Sequence, residues 1–237
     1  MEHDQGLRSD ASCAPAARGG RPLSPASLAA FLQLLRGPVS RDVFNPWTDN
    51  DATTDVAADA ARGRVERLRA HLSTDAAFVL VGEAAGYQGC KVSGIPFTSE
   101  RLILAGEIPR IAAPAGRLTS RPRPWSEPSA TTVWKTLHAL EVAPRTVLWN
   151  AYPWHPHKPG LRHSNRTPLR SERLAGVPVL HALLRLFPAA KVFAVGRNAE
   201  SSLAELGIAA TSLRHPSMGG ATAFARQLQA GIRGSAS

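Results

Sequence analysis

Cysteine is nearly missing from this chain. Its two cysteines, Cys13 and Cys90 among 237 residues, can build neither a disulfide framework nor a four-thiolate metal site. Long apolar runs are missing as well. No stretch of about 18 apolar residues occurs, so no membrane-spanning helix is expected. The N-terminus lacks the apolar segment of a secretory leader, and a protein of the reducing cytosol is the expectation. There is no internal repeat. Acidic residues are scarce in one part only: residues 76–237 carry 19 Lys and Arg against 8 Asp and Glu, whereas residues 1–75 carry 9 against 10. The net charge of +10 is therefore concentrated after residue 75, which favours a polyanionic partner, most simply nucleic acid.

Hydrophobic residues make up 43% of the chain, enough for a sizeable core, and the length suits one large domain with appendages. Residues 1–22 are Ala, Arg, Gly, Ser and Pro without periodicity and read as a disordered tail, leaving 23–237 as a single α/β domain. Apolar spacing predicts helices over 25–35, with Ser24 as N-cap, and over 54–72, 99–107, 131–140, 171–186, 197–206 and 224–232. Strands are expected at 77–81, 146–149, 191–195 and 209–213. Strands alternating with helices imply a three-layer α/β/α fold around a central four-stranded parallel sheet.

In such a fold ligands sit beyond the carboxyl ends of the strands. Three strand ends carry unusual loops here. Phe78–Val81 opens into a Gly-rich stretch, Gly82-Glu83-Ala84-Ala85-Gly86-Tyr87-Gln88, that runs on to Gly94-Ile95-Pro96-Phe97. Residues 146–149 end at Asn150 and a long loop to Pro168. The last strand ends in Arg214-His215-Pro216-Ser217. All three should meet in one cleft. Pro109–Pro128 reads as an exposed basic loop.

Together these segments resemble the uracil-DNA glycosylase superfamily. Gly82-Glu83-Ala84-Ala85-Gly86 with Gly94-Ile95-Pro96-Phe97 is similar to its first motif, Leu148-Trp149-Asn150-Ala151 to the strand that presents an asparagine, and His215-Pro216-Ser217 to its His-Pro-Ser loop. Glu127-Pro128-Ser129 resembles its phosphate-gripping loop. Two departures stand out. The best-known branch has an aspartate and a tyrosine where this chain has Ala84 and Gly86. The iron–sulfur branch needs four cysteines.

The resemblance implies an enzyme that flips uracil out of DNA and hydrolyses its N-glycosidic bond, without a cofactor. Phe97 would stack on the base. Asn150 would read its edge, since an amide can both accept from N3–H and donate to O4. Gly82, Ala84, Tyr87 and Gln88 would complete the base pocket, with Tyr87 and Gln88 on the C5 side. His215 would stabilise charge on the leaving uracil, and Glu83 would activate water or brace the loop. Ser129, Ser217, Arg214, Lys158 and Arg166 would hold phosphates, and Met218 would fill the gap in the stack. The partner would be uracil-containing DNA, single- or double-stranded. The chain would act as a monomer in the cytoplasm, at the nucleoid. A metal at His155, His157 and His163 is disfavoured by the intervening prolines and the lack of a nearby carboxylate. Two other readings stay open: a non-catalytic binder of uracil-containing DNA, suggested by Ala84, and an unrelated nucleotide-binding α/β protein. Glycosylases for other deaminated bases fit the same motifs.

Overall fold

Four strands, largely apolar and buried except for exposed Ser212 on the short edge strand, pair side by side in the computed structural model, which describes residues 24–37 and 40–234. They are β2 (Phe78–Ala84), β3 (Thr146–Tyr152), β5 (Lys191–Val195) and β6 (Thr211–Leu213). Their order is β3-β2-β5-β6, all parallel. Alternation along each strand sorts the side chains into two cores. Val79, Val81, Val147, Trp149 and Ala194 point to one face, where α1 (Pro25–Leu34), α6 (Arg170–Leu186) and α7 (Arg197–Glu205) bring Phe31, Leu183 and Leu203. Leu80, Leu148, Phe193 and Val195 point to the other. There α4 (Glu100–Leu104), α5 (Pro128–Ala139) and α8 (Ala221–Arg233) supply Leu102, Trp134 and Phe224. The sheet is thus the middle of three layers, as the alternating pattern implies. The tail expected over 1–22 lies outside the described residues.

Several boundaries differ from the sequence expectation, each for a local reason. Helix α2 spans Ala60–Leu72 and does not begin at Thr54. Residues before it are used otherwise: Asp55 bridges Thr119 and its carboxylate binds Arg64 at 3.0 Å, while Val56 is 58% exposed. The helix expected over 99–107 is the shorter α4, closed by Gly106 at φ +68°. The two loops at 41–51 and 151–168 pair with each other. Val43–Phe44 (β1) lies antiparallel to His155–Pro156 (β4), strands of two residues that leave no periodic trace in sequence. Finally, β2 and β3 continue past the ends expected for them, with Gly82 opposite Asn150 and Ala84 opposite Tyr152. The start of the Gly-rich stretch is therefore strand, not loop.

Irregular segments around this frame are held by buried charge. Lys91, on the short helix α3 (Cys90–Ser93), donates to Asp51 at 2.6 Å and stands 4.6 Å from the Phe44 ring centre. Glu100, fully buried, does more. Its Oε1 accepts from Arg117 Nε and the Leu118 and Thr119 N–H groups, and its Oε2 from Thr119 Oγ1 and the Trp125 N–H, all at 2.7–3.0 Å. One carboxylate so fixes the basic loop that leads into Glu127 and α5.

Burial alone would raise the Glu100 pKa, but the hydrogen bonds from Arg117, Thr119 and Trp125 outweigh it and hold it below the ordinary carboxylate value. Such a group stabilises the fold above its unfolded-state pKa, and the contribution is lost as pH falls through the folded value. Glu100→Ala should therefore cost about 3–5 kcal/mol at neutral pH, the usual cost of breaking a buried charged pair. In urea unfolding the gap from the parent should hold down to about pH 4.3, the free glutamate value, and shrink only below it. A variant with the parent's midpoint at pH 7 would show that the loop is anchored by something else.

Candidate active site

The cleft lies at the carboxyl ends of β2, β3 and β5, where the parallel topology places it. It is a cavity of about 620 Å³ whose walls bring the three loops together: Glu83 to Gln88 with Phe97, Asn150, and His215 with Ser217. Tyr87 is the exception in the first group.

Phe97 and Asn150 converge on Gly82. A Cβ built on Gly82 would stand 2.6 and 2.7 Å from Phe97 ring carbons and 2.8 Å from the Asn150 amide, so the strand must be bare there for both to approach. Phe97 has φ +50°, a left-handed backbone that is uncommon away from glycine and turns its ring onto the strand end. Asn150 is 3% exposed. With its amide oriented to satisfy both groups, the oxygen accepts from the Ala85 N–H at 3.2 Å and the nitrogen donates to the Trp149 carbonyl at 3.2 Å. One N–H and one lone pair remain, the pattern that an imide edge requires.

His215 is half-buried, with its ring 6.4 Å from that of Phe97. Its Nδ1 accepts from the Ser217 N–H at 3.2 Å and lies 2.7 Å from Ser217 Oγ. With Nδ1 an acceptor, the neutral ring carries its proton on Nε2. Burial, and secondarily the Arg214 charge, lowers the His215 pKa, so the neutral form prevails at pH 7. Glu83 also lines the cavity, where its Oε1 accepts from Asn198 Nδ2 at 2.9 Å in the first turn of α7. The side chain is therefore oriented by α7, whichever of its two roles it serves.

Around the rim, Gln88, Ala84, Ser129 and Ser217 line the cavity, Arg214 is exposed beside it, and Met218 stands 92% exposed at φ +51°. Three expectations are corrected. Tyr87 does not line the cavity; its ring packs edge-on against Trp125 at 5.4 Å, while its N–H donates to Asn165. Arg166 touches the cavity but its guanidinium is committed, to both Glu172 oxygens at 2.7 Å and to the Asp42 and His157 carbonyls. It ties the long loop to α6 and has no spare donor face for phosphate. Lys158 lies on an exposed turn away from the cavity. His155 is buried, with both ring nitrogens against carbonyls, of Ala85 and Arg162.

Four polar lining residues, Glu127, Asn165, Arg197 and Asn198, were given no role of their own by sequence reasoning. Glu127 is half-buried as a residue, yet its Oε2 is sealed from solvent and has no hydrogen-bond partner. Burial pushes its pKa up to about 7. Its place at the head of the Glu127-Pro128-Ser129 motif, directly before a proline-initiated helix, was the available signal.

A family model described as the uracil DNA glycosylase superfamily matches residues 70–229, more than half of the chain and all three cavity loops. The chain belongs to the uracil DNA glycosylase superfamily. Membership makes it a DNA glycosylase, a hydrolase of DNA repair, and superfamily members bind DNA. The solved structure of wild-type SMUG2 from Pedobacter heparinus shares the fold, with a TM-score of 0.62 over 88% of this chain and 97% of that one, at 15% identity. No curated protein matches the chain in sequence. No helix among the described residues is long and apolar enough to cross a membrane.

If the glycosylase depends on Phe97 and Asn150 meeting over a bare strand, Gly82→Ala should displace both. A misplacement of about 1 Å at a reacting site costs roughly 10²-fold, and the excision rate should fall by at least that much. Retention of the parental rate would disconnect Gly82 from the chemistry.

Proposed function

We propose that this glycosylase removes uracil from DNA by hydrolysis of its N-glycosidic bond, leaving an abasic site. The observation that carries the reading is the fixed Asn150 amide, which keeps one donor and one acceptor free beside Phe97. Uracil offers the matching pair at O4 and N3–H, whereas cytosine offers the reverse. A base reaches this cavity only after leaving the stack. Exposed Met218, next in sequence to Ser217 of the lining, would act as the wedge that replaces it, and Ser129, Ser217 and Arg214 would supply donors and charge for flanking phosphates.

In the reaction the C1′–N1 bond breaks, its electron pair passes to uracil, and water adds at C1′. The Nε2–H of neutral His215 would meet the charge growing on uracil O2, a donor already oriented by Ser217 and therefore needing no reorganisation as the bond breaks. Glu83, held by Asn198, would orient or deprotonate the water. Ala84 offers no carboxylate for that step, which favours a mechanism weighted toward leaving-group stabilisation.

Single-turnover release of uracil from oligonucleotides containing U, T, hypoxanthine or xanthine, measured with binding, tests the assignment. His215→Ala should lose roughly 10²–10³-fold in rate, the cost of one oxyanion donor, with little change in affinity. Asn150→Asp should lose uracil selectivity or activity, because a carboxylate cannot donate to O4. Glu83→Gln should lose roughly 10²–10⁴-fold if Glu83 is the base, and little if it braces the loop. Affinity should fall steeply with salt, as the excess charge beyond residue 75 requires. Parental rates for His215→Ala would falsify the mechanism, and binding without release would favour the capture reading.

A further inference from the structure

Glu127 lines the cavity but has no part in the mechanism above, and one of its carboxyl oxygens has no hydrogen-bond partner among the described residues. Glu127 is delivered to the wall by the loop that Glu100 fixes, at the N-terminus of α5. Its two oxygens have different surroundings. Oε2 is seated against Gly89, so close that a Cβ there would collide with it, and it is sealed from solvent without a hydrogen-bond partner. Oε1 lies 3.6 Å from where a Gly86 Cβ would stand, and Gly86 is itself a wall of the cavity. The bare backbone at Gly89 thus admits a carboxyl from the residue that caps α5 into space a side chain would have filled. Asn165 stands beside it, 3.9–4.0 Å from the same Gly86 position, its Oδ1 fixed by the Tyr87 N–H.

A buried carboxyl oxygen without a partner is costly, and as a charge it is costlier. Burial is what pushes the Glu127 pKa up to about 7. The charged and titratable groups that face it leave this intact. The Cys90 thiol beneath Gly89 is buried and pushed up, first by burial and then by the Glu127 charge. Arg166 beside Asn165 is committed to Glu172, and Glu83, Arg197 and His215 share the cavity lining. A neutral carboxyl has one proton to place. Placed on Oε1, that proton lies on the cavity side, whereas Oε2 is sealed against Gly89.

Resting on the uracil reading, we propose that Glu127 is a base-contacting residue whose Oε1–H donates to an exocyclic carbonyl oxygen of the extruded base. It would act with Asn150 as a second polar reader, reached through the glycine gap. Ionised Glu127 cannot donate and sets a negative charge against that oxygen, so affinity for the base falls as pH rises through about 7.

Uracil release and the binding of uracil-DNA and free uracil are measured from pH 5.5 to 8.5 for the parent, Glu127→Gln and Glu127→Ala, with melting curves alongside. The parent should bind progressively more weakly above about pH 7. Glu127→Gln keeps a neutral donor, and should bind uniformly across the range and exceed the parent at pH 8.5. Glu127→Ala should bind about tenfold more weakly at pH 6, the usual effect of one lost hydrogen bond. The decisive loss of binding is read above pH 7, on the alkaline side of the lowered His215 value. The proposal is overturned if Glu127→Gln abolishes release while binding persists, which would make Glu127 the water-activating base. Parental binding by Glu127→Ala at pH 6 also overturns it. Failure of the uracil reading looks different: the parent then releases no uracil at any pH. In that case the binding arms still decide, since pH-independent or absent binding by the parent removes this proposal too.

Discussion

Everything at the mouth of the cavity depends on the register of two parallel strands. Because β2 and β3 pair with Gly82 opposite Asn150, a bare position and a polar side chain lie side by side at the edge of the sheet. Shifting one strand by one residue would turn Asn150 into a core and bring an apolar neighbour to the edge. The apolar runs on either side forbid that slip. Val79 and Val147 belong to one core, Leu80 and Leu148 to the other, and the hydrophobic effect over both faces fixes the polar group that follows. Core packing thus specifies the site without any of its residues touching a ligand.

The loops are a second problem, since most of the cavity wall is irregular backbone. Regular hydrogen bonding cannot hold such segments, so buried ionic groups do. Glu100 gathers the basic loop, Arg166 and Glu172 hold the long loop against α6, and Lys91 with Asp51 pins the N-terminal segment to α3. These pairs are not bonuses on an already stable surface. Each replaces the hydrogen bonds that a helix or strand would have supplied. The two-residue pairing of Val43–Phe44 with His155–Pro156 adds a short ladder to the same work.

The sheet, its layers and the convergence of the three loops were legible in sequence because they rest on period and order. Lys191–Val195 appears as a strand with the expected bounds, and the helix ending at Leu186 starts one residue before its expected position. What escaped rests on side-chain partnerships between distant residues. Arg166 looks like a free cation in a basic loop until Glu172 is seen to cap α6 beside it. Tyr87 sits in the Gly-rich stretch, but Trp125, from a loop 38 positions onward, takes its ring. Thr54 and Val56 carry an acceptable helical pattern, yet Asp55 is held by Arg64 and Thr119. The burial of the Glu127 carboxyl was invisible for the same reason: nothing local distinguishes a solvated glutamate from one whose seat is a glycine almost forty residues earlier.

That seat has a consequence for how the protein can change. A side chain at position 89 would meet the Glu127 carboxyl, which would have to swing out of its seat to admit it. The reverse also holds, for a shortened residue 127 opens a void above Gly89 that a methyl group could fill. The two positions are coupled: a side chain at 89 displaces the carboxyl of 127, and a shorter residue 127 leaves room at 89. The Gly-rich stretch therefore owes part of its composition to a residue that lies outside it.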